Sequence, residues 1–92
     1  TLIPYYNNTE PSYWLYTMKV RDRDNFVRAM EERGITASPL HHRSDTHSVF
    51  AQSRCELPSL DKFYKEYIHI PCGWWINEED REYIVNAIKA GW

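Results

Sequence analysis

The stretch WLYTMKVRDRDNFVRAMEERG, residues 14–34, decides the fold, because its hydrophobic period changes partway along. Large aromatic or apolar residues stand at every second position from residue 14 to residue 20. A two-residue period in residues of these types is typical of a β-strand. We therefore expect a strand here, interrupted by the charged residues 21–24.

The second half of the stretch has the period of an α-helix. Phe26, Val27 and Met30 fall on one stripe of that helix. Asp22 can cap its first turn, because a carboxylate can accept hydrogen bonds from free backbone amides. Gly34 stands where a left-handed residue is needed to end it. The stretch thus predicts a strand followed by a helix.

The same signals recur downstream. Residues 35–37 can form a second short strand, and residues 38–58 are polar and irregular. A helix is predicted to open at Pro58, with Leu60, Phe63, Tyr64 and Tyr67 on one side. A third strand is predicted over residues 67–71, in which Ile68 and Ile70 face away from His69. A last helix is predicted to be capped by Asn77, to carry the stripe Ile84, Val85 and Ile88, and to end at Gly91.

This order, β-α-β-loop-α-β-α, predicts one α/β (α+β) domain over residues 13–92. We expect a small, mostly antiparallel sheet of three or slightly more strands, with helices packed on one face. Leu15, Trp74 and Trp75 are candidates for the other, exposed face. Residues 1–12 have the composition of a connector, and because position 1 is not Met we expect the chain to begin inside a longer product.

Composition bounds the classes of function. The chain is 42% hydrophobic and 26% charged, which is ordinary for a soluble domain, and its net charge of −2 gives no reason to expect binding to nucleic acid or to a membrane. No apolar run has the length of a membrane span, and the N-terminus lacks the features of a signal peptide. We therefore expect a cytoplasmic protein in which Cys55 and Cys72 are free thiols.

Residues 39–47, which we call the histidine loop, hold three of the four histidines. As a metal site, His41 or His42 with His47 and Cys55 could bind zinc, although the spacing matches no standard zinc finger. As a catalytic pair, a histidine beside a serine or cysteine could activate a nucleophile, although nothing in the sequence fixes the geometry. Neither pattern is specific.

Two further interpretations of the histidine loop are better supported. Arg43 offers a planar fork to a phosphate or carboxylate, with the histidines as additional donors or acceptors. Alternatively, the segment is a polar surface loop held together by hydrogen bonds between Arg43 and Asp45. Composition does not decide between an anion-contacting loop and a structural one.

A second unusual segment, residues 70–75, reads IPCGWW. Gly73 allows a sharp turn between strand and helix, and two adjacent tryptophans cannot both enter so small a core. We expect one ring to pack inside and the other to face a partner. The structural alternative, in which both Trp74 and Trp75 lie over the sheet, is favoured over a role in stacking on a ligand.

Six segments in a fixed order carry a family resemblance. They are Tyr13-Trp14-Leu15-Tyr16, residues 30–36 (MEERGIT), the histidines 41, 42 and 47 with Arg43-Ser44-Asp45 between them, Glu56-Leu57-Pro58, Ile70-Pro71 and Glu78-Glu79-Asp80. Together they resemble the C-terminal small domain of the DegT/DnrJ/StrS family of sugar-nucleotide aminotransferases. No single segment is specific to this family, but six in register are strong support for the resemblance. It covers about residues 13–91.

The resemblance implies a dimeric, fold-type I, pyridoxal-phosphate-dependent parent enzyme. Such enzymes transfer an amino group, usually from glutamate, to a nucleotide-linked keto-sugar, and the cofactor supplies the electron sink. The cofactor-binding groups lie in the family's large N-terminal domain, which this chain lacks. Its lysines, Lys19, Lys62, Lys65 and Lys89, match none of the family's cofactor lysines. We therefore expect no cofactor, metal or catalytic residue in this chain, and no activity by itself.

For the intact enzyme, the resemblance places the histidine loop beside the active-site cleft. His41, His42, Arg43 and His47 are expected to contact the sugar nucleotide or its diphosphate, with a shape-holding role as the alternative for His47. The expected partners are the N-terminal pyridoxal-phosphate domain and a second enzyme copy in a homodimer. The alternative function is a non-enzymatic, truncated module for self-association or partner binding.

Overall fold

The computed structural model describes all 92 residues. In chain order, the elements are β1 (Tyr16–Lys19), α1 (Arg23–Glu32), two 3-10 helices (Ser44–Thr46 and Ser48–Ser53), α2 (Pro58–Glu66), β2 (Tyr67–Ile70) and α3 (Glu78–Lys89). The mixed helix-and-strand class is confirmed, and each of the three expected α-helices is present. None of them is long and apolar enough to cross a lipid bilayer.

The sheet has two antiparallel strands, β1 and β2. Their register pairs Met18 with Ile68 and Thr17 with His69. Because residues directly opposite each other share a face, Met18 and Ile68 lie on one side of the sheet and Thr17 and His69 on the other.

The expected three-stranded sheet is not confirmed. Residues 35–37 form no strand, and only a single bridge joins Ser38 to His69, through backbone hydrogen bonds of 3.2 and 3.0 Å. In this antiparallel register residue 36 would come opposite Pro71, and since proline has no N–H to donate, the ladder cannot extend from Ser38 into residues 35–37. On the opposite edge, Leu2 bridges to Met18, so part of the expected connector pairs with β1.

The expectation that all helices pack on one face of the sheet is wrong. α1 and α3 cover the face that carries Met18 and Ile68, where they form the hydrophobic core. The aromatic side of α2 lies against the opposite face, where Phe63 and Tyr64 contact the ring of Tyr67 at centroid distances of 5.3 and 5.5 Å. Tyr67 and His69 are therefore buried on the face that we expected to be exposed.

The core confirms the helical stripe of α1. Phe26 and Met30 are fully buried, and Val27 packs against them. In α3 the stripe differs from the prediction, because Val85 is 46% exposed while Ile84 and Ala87 are buried. Ile84, Ala87 and Ile88 are spaced three and four residues apart, which keeps them on one helical face and turns Val85 away from it.

The helix ends are held by different means. Asn77 caps α3 as predicted, in a capping box with Asp80. Asp22 does occupy the N-cap position of α1, but its φ is 50° and its carboxylate accepts from the Asn25 side-chain amide at 2.6 Å rather than from a backbone amide. Gly34 has a φ of 73°, as its predicted C-terminal role requires.

The chain buries little of itself. Only 11 of 92 residues are buried, and the radius of gyration is 15.4 Å. A compact domain of this length has a radius of gyration of about 12 Å. Large aromatic and apolar side chains therefore remain exposed, and many of them line two adjoining cavities.

Candidate functional site

The first cavity has a volume of about 750 Å³ and is lined mostly by apolar side chains. It lies between the N-terminal segment, the Thr17–His69 face of the sheet, the aromatic side of α2 and the histidine loop. Its size is in the range of small-molecule sites. His41, His42 and Arg43 supply polar groups to one wall, so the structure brings three of the four predicted loop residues to one cavity. His47 does not line it.

The histidine loop is held in shape by its own hydrogen bonds. The Thr46 hydroxyl donates to the carbonyl oxygen of Arg43 at 2.6 Å. The Arg54 guanidinium donates to the carbonyl oxygens of Asp45 and Thr46 at 2.6 and 3.2 Å. These contacts support two short 3-10 helices in a segment where sequence periodicity predicted only irregular structure.

Arg43 forms ion pairs with two carboxylates. Its Nε and one terminal nitrogen donate to the two carboxylate oxygens of Asp45 at 2.9 and 2.6 Å, and its other terminal nitrogen donates to Asp61 of α2. The hydrogen bonds to Asp45, and then to Asp61, raise the pKa of Arg43, and the bond to Arg43 lowers the pKa of Asp45. A guanidinium has five N–H donors, so two remain for a ligand. The contact expected for a structural loop is thus present. Two N–H donors of Arg43 remain for a ligand, although the two carboxylates outweigh its single positive charge.

His41 is exposed but not free. Its ring lies against the indole of Trp14 at 5.8 Å and against the imidazole of His69 at 5.7 Å. Its carbonyl oxygen accepts a hydrogen bond from the Tyr67 hydroxyl. The rings of His42 and His47 make no hydrogen bond and no aromatic contact of this kind.

His69 is a site residue that sequence reasoning missed. It is 8% exposed, and its Nδ1 lies 2.9 Å from the Thr17 hydroxyl. Burial, and then the neighbouring His41, lower its pKa. Its Nε2 is buried without a hydrogen-bond partner. The only signal in the sequence was the aromatic stripe of α2, which needed a sheet face to cover but did not indicate which face.

The structure gives the metal interpretation no support. No group of three or more histidine, cysteine, aspartate or glutamate side chains is placed to hold a metal ion. Cys55 is exposed and does not pair with Cys72, so both thiols are free. The residues present also do not fit a pyridoxal-phosphate site, since no lysine lines either main cavity and Lys19 lies 3.9 Å from Glu66.

A second cavity of about 900 Å³ adjoins the first, sharing Tyr13, Leu15 and His69 with it. Trp14, Trp74 and Trp75, which line it, are 74%, 93% and 60% exposed, and we call them the tryptophan surface. The prediction that one of Trp74 and Trp75 packs inside is wrong. The Trp75 ring folds back over Gly73, where any side chain would collide with it, while Ile70 and Ile76 pack against the core instead.

Comparison with known proteins places this geometry in a family context. The sequence model of the DegT/DnrJ/EryC1/StrS aminotransferase family matches residues 2–89. Two crystal structures superpose on the whole chain at 41% sequence identity: sugar aminotransferase CalS13 from Micromonospora echinospora, with a TM-score of 0.96, and AtS13 from Actinomadura melliaura, with a TM-score of 0.95. The chain spans 25% of the length of each. No curated protein matches.

Proposed function

The chain belongs to the DegT/DnrJ/EryC1/StrS aminotransferase family, and from that premise we propose that it is the C-terminal small domain of a pyridoxal-phosphate-dependent enzyme acting on nucleotide-linked keto-sugars. In that enzyme it forms part of the wall of the substrate site, and it is inactive alone. The observation that carries the proposal is a ligand-sized cavity with His41, His42 and Arg43 on one wall and no lysine in its lining.

The polar residues of that wall suit a sugar nucleotide. The two unengaged N–H donors of Arg43 can meet a phosphate oxygen, while Asp45 and Asp61 hold the guanidinium in place. Imidazoles can donate to or accept from sugar hydroxyls, which suits His41 and His42. His47 lies at the far end of the same loop, beyond the cavity, and acts on the substrate only if the loop moves or the rest of the enzyme reaches it.

We expect the chain to be inactive by itself because of what amino transfer requires. Pyridoxal phosphate would supply the electron sink for amino transfer, and a lysine amine in a pocket beside the cofactor and the substrate would have to hold it. The four lysines of this chain lie outside both cavities. The other domain of the enzyme must therefore supply the lysine, the cofactor phosphate site and the pyridinium partner.

Kinetics of the intact enzyme test the substrate role. His42→Ala and Arg43→Lys should raise KM for the sugar nucleotide, because the first removes an imidazole and the second replaces a planar fork by a single ammonium. Arg28→Ala, which removes an exposed cation on α1 away from the cavity, is the matched control. Unchanged KM and kcat in a variant that carries both His42→Ala and Arg43→Lys would refute the substrate role of the loop.

Borohydride reduction tests the proposal that the 92-residue chain is inactive by itself. We expect the 92-residue chain, mixed with pyridoxal phosphate and reduced, to carry no more than scattered labelling of its exposed lysines. Stoichiometric trapping at one lysine, or amino transfer by the chain without another domain, would contradict the proposal.

The tryptophan surface is the part of the chain that we propose faces the rest of the enzyme. Burying an indole removes a large apolar area from water, and an isolated patch of this kind usually marks an interaction site. The part of the tryptophan fluorescence that Trp74→Phe removes should be quenched by iodide in the 92-residue chain and protected in the intact enzyme. Equal quenching in both would show that the surface stays open.

Self-association is the second candidate, favoured by the same exposed aromatic side chains. In this alternative, the chain is a non-enzymatic module whose tryptophan surface meets a second copy or another protein. Sedimentation of the purified chain separates the two functions. A dimer that Trp74→Ser converts to a monomer favours the module, and a monomer at all concentrations favours the enzyme domain.

A further inference from the structure

We propose that Tyr67 and His69 of β2 are positioning residues that hold His41 in a single orientation on the cavity wall. The proposal rests on the proposed substrate role of the histidine loop and identifies what fixes that loop to the sheet. Both residues border the first cavity, but they are almost fully buried, and we propose that they act through His41.

The contacts of His41 constrain both its backbone and its side chain. The Tyr67 hydroxyl donates to its carbonyl oxygen, which ties the loop to the start of β2 across 26 residues of sequence. Its imidazole makes edge contacts with two rings, that of Trp14 at an interplanar angle of 62° and that of His69 at 84°. A side chain that contacts two other rings has lost part of its rotational freedom even though it is exposed to solvent.

The two β2 residues are themselves rigidly placed. Tyr67 is 4% exposed and stacks on Phe63 with an interplanar angle of 7°. His69 is tied at its ring to the Thr17 hydroxyl and at both backbone groups to Ser38. A support built from buried residues of a strand can hold a binding group in place before the ligand arrives, which lowers the entropy cost of binding.

The unpaired Nε2 of His69 favours a role in this contact. A buried polar atom without a partner is uncommon in proteins, and an apolar side chain would fill a purely structural position without that cost. The rings packed against this imidazole are those of Tyr67 and His41, at 5.3 and 5.7 Å, both in edge-to-face geometry. In the tautomer in which the Thr17 hydroxyl donates to Nδ1, Nε2 carries the proton, and contact with an aromatic ring partly compensates such an N–H group.

Proton NMR of the 92-residue chain provides the first test, and it needs no substrate. We expect nuclear Overhauser contacts between the His41 ring protons and those of Trp14 and His69. Tyr67→Phe, which removes one hydroxyl, should weaken these contacts by at least roughly half and speed amide exchange in the histidine loop by roughly 2- to 10-fold, the range expected for one hydrogen bond. Tyr64→Phe is the matched control, since the Tyr64 hydroxyl makes no hydrogen bond.

A second variant keeps the test decisive if Tyr67→Phe fails to fold. Thr17→Val keeps the shape of a strand residue and removes the hydroxyl that anchors His69. It should weaken the contact between His41 and His69 while the contact between His41 and Trp14 changes less. Unchanged contacts of His41 in Thr17→Val, and in Tyr67→Phe where it folds, would overturn the proposal.

Kinetics of the intact enzyme then separate this proposal from the proposed function. Tyr67→Phe should raise KM for the sugar nucleotide by roughly 2- to 10-fold with kcat little changed, because one hydrogen bond behind the site is lost. Weakened His41 contacts together with an unchanged KM would support the positioning role of Tyr67 and refute the substrate role of His41. Weakened contacts with a raised KM support both.

Discussion

The hydroxyl of Thr17 lies 2.9 Å from Nδ1 of His69, across the two strands of the sheet. The pair joins residues 52 positions apart in sequence and closes the face of the sheet that α2 covers. Burial, and then the nearby His41, lower the pKa of this histidine, so folding favours its neutral form. The charge state of His69 is therefore linked to folding.

We expect stability to fall as the pH drops below about 6.5, the ordinary pKa of histidine. The unfolded chain then binds a proton that folded His69 resists, so unfolding is favoured until the pH passes the lower folded pKa. Urea unfolding between pH 8 and pH 5 measures this effect. The pH dependence should be shallower in His69→Gln, and identical slopes in the two proteins would contradict the assignment.

Ile84→Ala should destabilise the chain by about 2–5 kcal/mol, the range for truncating a buried aliphatic side chain. Val85→Ala is the matched control on the same helix. Because Val85 is 46% exposed, its truncation should change the free energy of unfolding by no more than about 0.5 kcal/mol. Comparable losses in the two variants would mean that α3 is rotated from the orientation described.

Gly34→Ala should cost about 1–2 kcal/mol, because a Cβ disfavours the left-handed backbone found there. No neighbouring atom lies within 4 Å of an added Cβ, so the cost is conformational rather than steric. Gly34→Asn should cost less, since asparagine tolerates this conformation better. Thermal unfolding of the three proteins should rank them Gly, Asn, Ala in decreasing stability, and any order that places Ala above Asn would argue against a left-handed residue 34.

Asp61→Asn should loosen the histidine loop from α2 while leaving the contact between Arg43 and Asp45 in place. Amide exchange over residues 43–47 should be several-fold faster, with little change elsewhere. Glu82→Gln removes an exposed carboxylate from α3 and serves as the control. Unchanged exchange in Asp61→Asn would show that Asp45 and Arg54 hold the loop without help from α2.

Local signals in the sequence predicted several structural features correctly. The alternation around Met18 and the stripe of Phe26 and Met30 gave β1 and α1, and Asn77 marked the start of α3. The third strand did not form, because the next ladder pair beyond Ser38 and His69 would need an N–H from Pro71. Trp75 was also misjudged, because its folding back over Gly73 depends on where Ile76 enters the core.

The candidate site was predicted only in part. The histidine loop was recognised from its residue types and its place among the six family segments, and three of its four predicted residues line the first cavity. Tyr67 and His69 were not recognised as site residues. Their role depends on α2 covering the second face of the sheet, and a stripe of Leu60, Phe63 and Tyr64 does not state which face it covers.

The sequence by itself determined the helices, the two strands, the Asn77 cap and the family, because each of these depends on residues a few positions apart or on motifs in order along the chain. Only the tertiary structure decided that His69 is buried beside Thr17, that Arg43 is held by Asp61, and that Tyr67 reaches His41. These contacts join residues 18 to 52 positions apart. They exist because α2 packs on the second face of the sheet, and that choice is set by the shape and burial of the whole chain rather than by any local pattern.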